Sequence, residues 1–135
     1  MKIVLDTNVL VAGLLSPFNP PGEIVRMTSS GVLQLCFDAR ILSEYKGVLH
    51  RPKFSLDPYH VDVLLDQIKA NGAHVVGVPL RKSLPDKTDE PFLEVAIAGK
   101  VECLVTGNLK HYPSADRQGV NVSSPADFLA FFRKQ

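Results

Sequence analysis

Short, predominantly apolar runs alternate with segments of helical periodicity along all 135 residues. The apolar runs are Ile3-Val4-Leu5, residues 32–37, residues 75–78, Cys103-Leu104-Val105 and residues 120–122. Runs without polar alternation suit strands buried on both faces. A helix over 9–15 starts after Asp6 or Thr7, either of which is a good N-cap, and stops at Ser16-Pro17. A second covers about 23–29, with Pro21 suited to its first turn. Asp38 is placed to cap a third over 39–49, whose Ile41, Leu42, Tyr45, Val48 and Leu49 share one face. Asp57-Pro58 opens a fourth, ended by Asn71-Gly72; Pro91 lies in the first turn of a fifth, ended by Gly99; a sixth covers about 125–132. Strands alternating with helices predict an α/β fold, a parallel sheet of about five strands covered on both faces and joined by right-handed crossovers.

The length suits one domain over 1–135 with its own core. Apolar residues are 45% and charged residues 21% of the chain, which excludes disorder or a coiled coil as the main state. Fifteen Lys and Arg against fourteen Asp and Glu give a net charge of +1, so bulk charge does not mark a polyanion-coating protein. Cys36 and Cys103 lie in apolar runs without a CxxC pair, which predicts buried, reduced thiols. The four histidines, His50, His60, His74 and His111, are scattered and suggest no metal cluster. No run approaches the length of a membrane span, and Asp6 interrupts the first apolar segment too early for a signal peptide. The expectation is a cytoplasmic enzyme or binding module.

Open parallel sheets bind ligands beyond the carboxyl ends of their strands. The first strand runs into Asp6. The third leads, through the polar loop 79–90, to Asp86, Asp89 and Glu90, and the fourth runs into Thr106-Gly107-Asn108. Glu44 lies in the helix after the second strand. This topology predicts that Asp6, Glu44, Asp89 and Asn108 meet at one edge. Clustered carboxylates repel, and persist when protonated, paired with bases or bridged by a cation. An oxygen-only set suits Mg²⁺ or Mn²⁺, which activate water in phosphodiester hydrolysis. Each acid also has a plain structural use: Asp6 and Asp89 as helix caps, Asp86 and Asn108 as turn formers, Glu44, Glu90 and Glu94 as solvated helix charges.

Four blocks in order carry a family likeness. Ile3-Val4-Leu5-Asp6-Thr7-Asn8-Val9-Leu10 resembles the opening of PIN-domain ribonucleases. Leu42-Ser43-Glu44-Tyr45, then Val48-Leu49 and Arg51-Pro52-Lys53-Phe54, is similar to the second block of a subgroup of toxins from toxin–antitoxin pairs, related to the VapC toxins. Residues 86–96 resemble the third block and Leu104-Val105-Thr106-Gly107-Asn108 the fourth. The resemblance implies a three-layer α/β/α sandwich and cleavage of single-stranded RNA dependent on Mg²⁺ or Mn²⁺. It carries the three core acids onto Asp6, Glu44 and Asp89, both as catalytic residues and as metal ligands, with Asp86 and Glu90 as adjacent alternatives to Asp89 and Asp86 and Asn108 as further metal candidates. Thr7 or Asn8 would orient Asp6, and Thr106 would lie near the site. Two positions depart from the pattern. Asn108 stands where the subgroup often has Asp, and His111 where other PIN toxins supply one, so the fourth acid is missing or replaced; Asp116 is the nearest substitute.

Three function classes follow. The first is a metal-dependent endoribonuclease whose RNA phosphates meet Arg51, Lys53 and Lys110, with Arg81, Lys82 and His111 as further basic candidates. The second is a catalytically impaired PIN-fold module that binds RNA or protein. The third, an aspartyl phosphotransferase, fits poorly: dehalogenase-like phosphatases carry a second Asp where this chain has Asn8, and a receiver domain needs an early acidic pair that is absent. The toxin likeness also implies a small antitoxin masking the acidic site. A homodimer through the helix of residues 57–71 is a further expectation, and no membrane partner is expected.

Overall fold

A computed structural model describes residues 1–135. Five strands form one parallel sheet: β1 (Lys2–Leu5), β2 (Gln34–Phe37), β3 (Ala73–His74), β4 (Cys103–Val105) and β5 (Val122–Ser123), in the order β3-β2-β1-β4-β5. Ile3 pairs with Leu35 on one side and Cys103 on the other, which makes β1 the central strand. Its Ile3, Val4 and Leu5 are fully buried, as a run without polar alternation requires. The helices are α1 (Thr7–Leu15), α2 (Pro20–Ser29), α3 (Ala39–Leu49), α4 (Pro58–Asn71), α5 (Glu90–Ala98) and α6 (Pro125–Arg133). Helix α5 packs across β1, β2 and β4; α4 lies against β2, α6 against β4, and α2 against α1, α4 and α6. The result is the three-layer α/β/α sandwich, with 29 buried apolar residues in one continuous core.

Most elements fall where periodicity places them, with Pro20 and Pro21 opening α2 and Asp38 capping α3 through Ile41 N–H at 2.9 Å. The edge strands differ. The run 75–78 is not the third strand, which lies at Ala73–His74. Val75 N–H still donates to Phe37 O at 2.8 Å, but Val76 is 76% exposed and Val78 faces solvent. An apolar run at a sheet edge has no second neighbour, and pairing stops when the strand leaves its partner. Likewise β5 sits at Val122–Ser123, and β2 begins at Gln34, with Val32 exposed and Leu33 buried ahead of it. Cys36 and Cys103 are free and buried, and burial pushes both thiols up, away from reactive thiolate.

The chain builds β1, then β2 and β3 to one side, and crosses back to place β4 on the other side of β1. The carboxyl ends of β1 and β4 therefore flank the point where strand order reverses, where open α/β sheets form a ligand crevice.

Candidate active site

Asp6 leaves β1 at that point and occupies the N-cap position of α1, yet its side chain makes no capping bond. Its Oδ2 turns across to β4 and accepts from Thr106 Oγ at 2.9 Å and from the Tyr112 hydroxyl at 3.1 Å. Asp89 repeats the arrangement. The 3₁₀ turn Lys87–Asp89 delivers it to the N-cap position of α5, again with no capping bond. Asp38 shows the contrast, since its carboxylate is consumed by the cap. Two carboxylates are thus left unspent at helix N-termini, where the partial positive charge of the helix ends favours anions.

The two acids are buried, at 5% and 6% exposure, and meet His111. One ligating atom from each of Asp6, Asp89 and His111 lies within 4.8 Å of the others. His111 Nδ1 stands 3.3 Å from Asp89 Oδ2, and neither atom has a hydrogen-bond partner. Burial raises the Asp6 carboxyl above its ordinary range, opposed by Thr106, Tyr112, His111 and the Thr7 amide. Burial and then the Asp6 charge push Asp89 up to about 6, with smaller contributions from Asp86 and Glu44 and an opposing pull from His111. The Tyr112 hydroxyl, buried beside two acids, is raised far out of reach of titration and serves as a donor to Asp6. Two desolvated carboxylates side by side, one with an unpartnered buried oxygen, form the donor set that a hard cation satisfies.

The remaining expected residues are placed as follows. Glu44 stands outside the group of three, held by a hydrogen bond from Thr7 Oγ, and its charge is felt by Asp89 and Tyr45. The Thr7 hydroxyl therefore positions Glu44, while its amide favours the Asp6 carboxylate. Asn8 does not reach Asp6: its Oδ1 accepts from Gly107 N–H at 2.8 Å and ties α1 to the turn after β4. Thr106 is the orienting residue, together with Tyr112. Asp86 is exposed and spends an oxygen on the Thr88 amide and hydroxyl, which holds it below its usual range. Glu90 accepts from Leu84 N–H at 2.9 Å and braces the loop. Asp116 pairs with Lys82 at 2.6 Å and stays out of the cluster. Asn108 lies behind His111, with Nδ2 2.9 Å from Nε2.

A groove of about 520 Å³ runs from Thr7, Asn8 and Glu44 past Val11 and Val48 to Arg51 and Phe54. Arg51 is exposed at this groove, Lys53 sits over the Phe54 ring at 5.1 Å, and Lys110 is exposed beside Asn108. Of the four histidines, which sequence left scattered, His111 alone joins the two acids. Asn108 caps the 3₁₀ turn Leu109–His111 by accepting Lys110 N–H. In such a turn side chains three apart fall on one side, so Asn108-x-x-His111 was the available signal. Tyr112, on a Pro-flanked loop, gave none.

An α/β sandwich whose strand-order reversal holds two buried, uncapped carboxylates is a framework suited to a hydrolase. Residues 2–110 match the PIN domain family. The chain belongs to that family, a family of nucleases. No curated protein matches the sequence. Among solved structures it is similar to the crystal structure of VapBC2 from Rickettsia felis bound to a DNA fragment from their promoter. The TM-score is 0.62 at 15% identity, over 92% of this chain and 98% of that one. No helix is long and apolar enough to cross a membrane.

Proposed function

We propose that this chain is a metal-dependent endoribonuclease that cuts single-stranded RNA, and that it is the toxin of a toxin–antitoxin pair. The observation that carries the reading is the buried Asp6–Asp89 pair, with Asp89 Oδ2 unpartnered, at the switch point of a PIN fold. Asp6 and Asp89 would hold Mg²⁺ or Mn²⁺, with Glu44 beside them; Asp86 and Asn108 are weaker candidates that other contacts now occupy. Such an ion, when bound, lowers the pKa of a water and stabilises charge on a phosphoryl oxygen.

The chain's own residues do the rest. Thr106 and Tyr112 fix the Asp6 carboxylate through Oδ2. Thr7 holds Glu44 at the head of the groove, where its carboxylate can orient or deprotonate the attacking water. Arg51, Lys53 and Lys110 supply positive charge for the phosphate chain. The toxin assignment is supported by family membership and by the fold shared with a VapBC2 complex. It implies a small antitoxin that covers the acidic site. Tyr59 and Val63, exposed on α4, are the apolar residues for a homodimer contact, which sedimentation of the free chain tests.

The test is a calorimetric titration of Mn²⁺ into the purified chain and into Asp6→Asn, which needs no knowledge of the RNA target. Saturable binding lost in the variant supports the reading. No binding by the folded wild-type chain refutes it. That outcome favours a catalytically impaired RNA- or protein-binding module, for which the observation is Asn108 and His111 in place of a further acid.

A further inference from the structure

Two buried polar atoms face each other with nothing between them: Asp89 Oδ2 and His111 Nδ1, 3.3 Å apart and both without a hydrogen-bond partner. The contact lies within ion-pair distance, yet its geometry makes no hydrogen bond. Neighbouring ligands of one octahedral ion bound at about 2.1 Å lie about 3 Å apart. The spacing is therefore that of two donors aimed at a shared cation. The third member, Asp6, is already fixed from behind by Thr106 and Tyr112.

We propose that His111 is itself a metal ligand through Nδ1, with Asn108 as its positioning partner. The mixed oxygen–nitrogen set then makes the site favour a first-row transition ion such as Mn²⁺ over Mg²⁺. The inference rests on the metal-dependent reading above and adds to it the identity of a ligand and the preference it creates. Metal-bound imidazole needs its other ring nitrogen protonated and hydrogen-bonded to an acceptor. Asn108 stands 2.9 Å from Nε2. A half-turn of its amide presents the oxygen to Nε2–H without moving the ring. The Lys110 amide, released from Asn108 Oδ1, lies on an exposed turn and passes to water. The two departures from the acidic pattern thus act as one unit, a neutral nitrogen ligand and its support. Mg²⁺ prefers oxygen and water, whereas transition ions gain from imidazole.

The experiment titrates MnCl₂ and MgCl₂ separately into the full chain, wild type and the variants His111→Ala, His111→Asp, Asn108→Ala and Asp6→Asn, each checked for fold by circular dichroism. Pulsed electron paramagnetic resonance of bound Mn²⁺ then reads nitrogen coupling. The wild type is expected to bind Mn²⁺ about ten-fold or more tighter than Mg²⁺. His111→Ala should lose about ten- to hundred-fold in Mn²⁺ affinity, together with the ¹⁴N modulation, and Asn108→Ala about ten-fold. His111→Asp, which restores an acid and guards against a misfolded alanine variant, should close the gap between the two ions. Mn²⁺ binding that Asp6→Asn abolishes but His111→Ala leaves unchanged, without ¹⁴N modulation in the wild type, overturns this inference and leaves the metal-dependent reading standing. No Mn²⁺ binding by folded wild-type protein overturns both.

Discussion

Replacing Asp89 by Asn should stabilise the metal-free protein. The Asp89 carboxyl is raised from 3.8 to about 6, first by burial and then by the Asp6 charge. The folded state therefore holds this proton more tightly than the unfolded chain does. Stability from this group is greatest below about pH 4, falls as pH rises from about 4 to about 6, and is then level. At 1.36 kcal/mol per unit, the charged group costs the fold about 3 kcal/mol above pH 6. Asn keeps the size and removes the repulsion from Asp6, but it remains a buried polar group and forgoes the attraction of His111. The expected net gain is about 1–2 kcal/mol, or roughly 3–8 °C in Tm for a domain of this size. Thermal denaturation in EDTA at pH 8 should show that gain, and at pH 4.5 the two proteins should melt almost alike. Adding Mn²⁺ at pH 8 should raise the wild type and leave Asp89→Asn where it was, because only the charged site binds the ion. If Asp89→Asn melts below the wild type in EDTA at pH 8, the buried charge is satisfied by the protein itself and the argument for a cation fails.

Tyr112→Phe removes a buried donor to Asp6 at 3.1 Å and should cost about 1 kcal/mol in urea unfolding, with weaker Mn²⁺ binding in the same preparation. Thr7→Val frees Glu44 while keeping the volume, so turnover on a cleavable RNA should fall with Tm nearly unchanged; loss of fold instead would mark the bond as structural. Arg51→Glu at the groove should weaken single-stranded RNA binding and flatten its salt dependence, read by fluorescence anisotropy at two ionic strengths. Gly22→Ala would drive a methyl group into the Pro17 carbonyl, a backbone atom that cannot rotate away. A loss of about 2–3 kcal/mol in chemical denaturation is expected.

The central strands were legible because a strand with neighbours on both sides must be apolar throughout, and Ile3-Val4-Leu5 and Cys103-Leu104-Val105 are so. The edge was not. Residues 75–78 carry three valines, but whether such a run pairs depends on a partner strand that sequence does not display. For the site, order along the chain predicted that Asp6 and Asp89 would reach one strand edge, and the structure puts them together. The same reasoning placed Glu44 among them as an equal, whereas it stands one hydrogen bond away, on Thr7. His111 and Tyr112 come from the irregular segment after β4. The direction of a side chain there depends on a 3₁₀ turn and on the Arg117 Nε–H that holds the Tyr112 carbonyl at 2.8 Å. No periodicity encodes either.

The helix caps explain how a fold tolerates this cluster. A capping acid gains stability by accepting a backbone N–H, and Asp38 does so. Asp6 and Asp89 hold equivalent positions at α1 and α5 without a side-chain capping bond, so both carboxylates lie at the partially positive end of a helix. That partial positive charge offsets part of the repulsion between the acids, while Thr106 and Tyr112 offset part of the desolvation of Asp6. Asp89 has no such side-chain donor and retains the larger share of the strain, which is why its carboxyl rises to about 6. The residue least satisfied by the protein is the one with most to gain from an ion. It follows that the order of metal dependence among the acids should track their lack of donors: a neutral substitution at Asp89 should stabilise the metal-free fold more than one at Asp6, where Asn must also give up bonds from Thr106 and Tyr112.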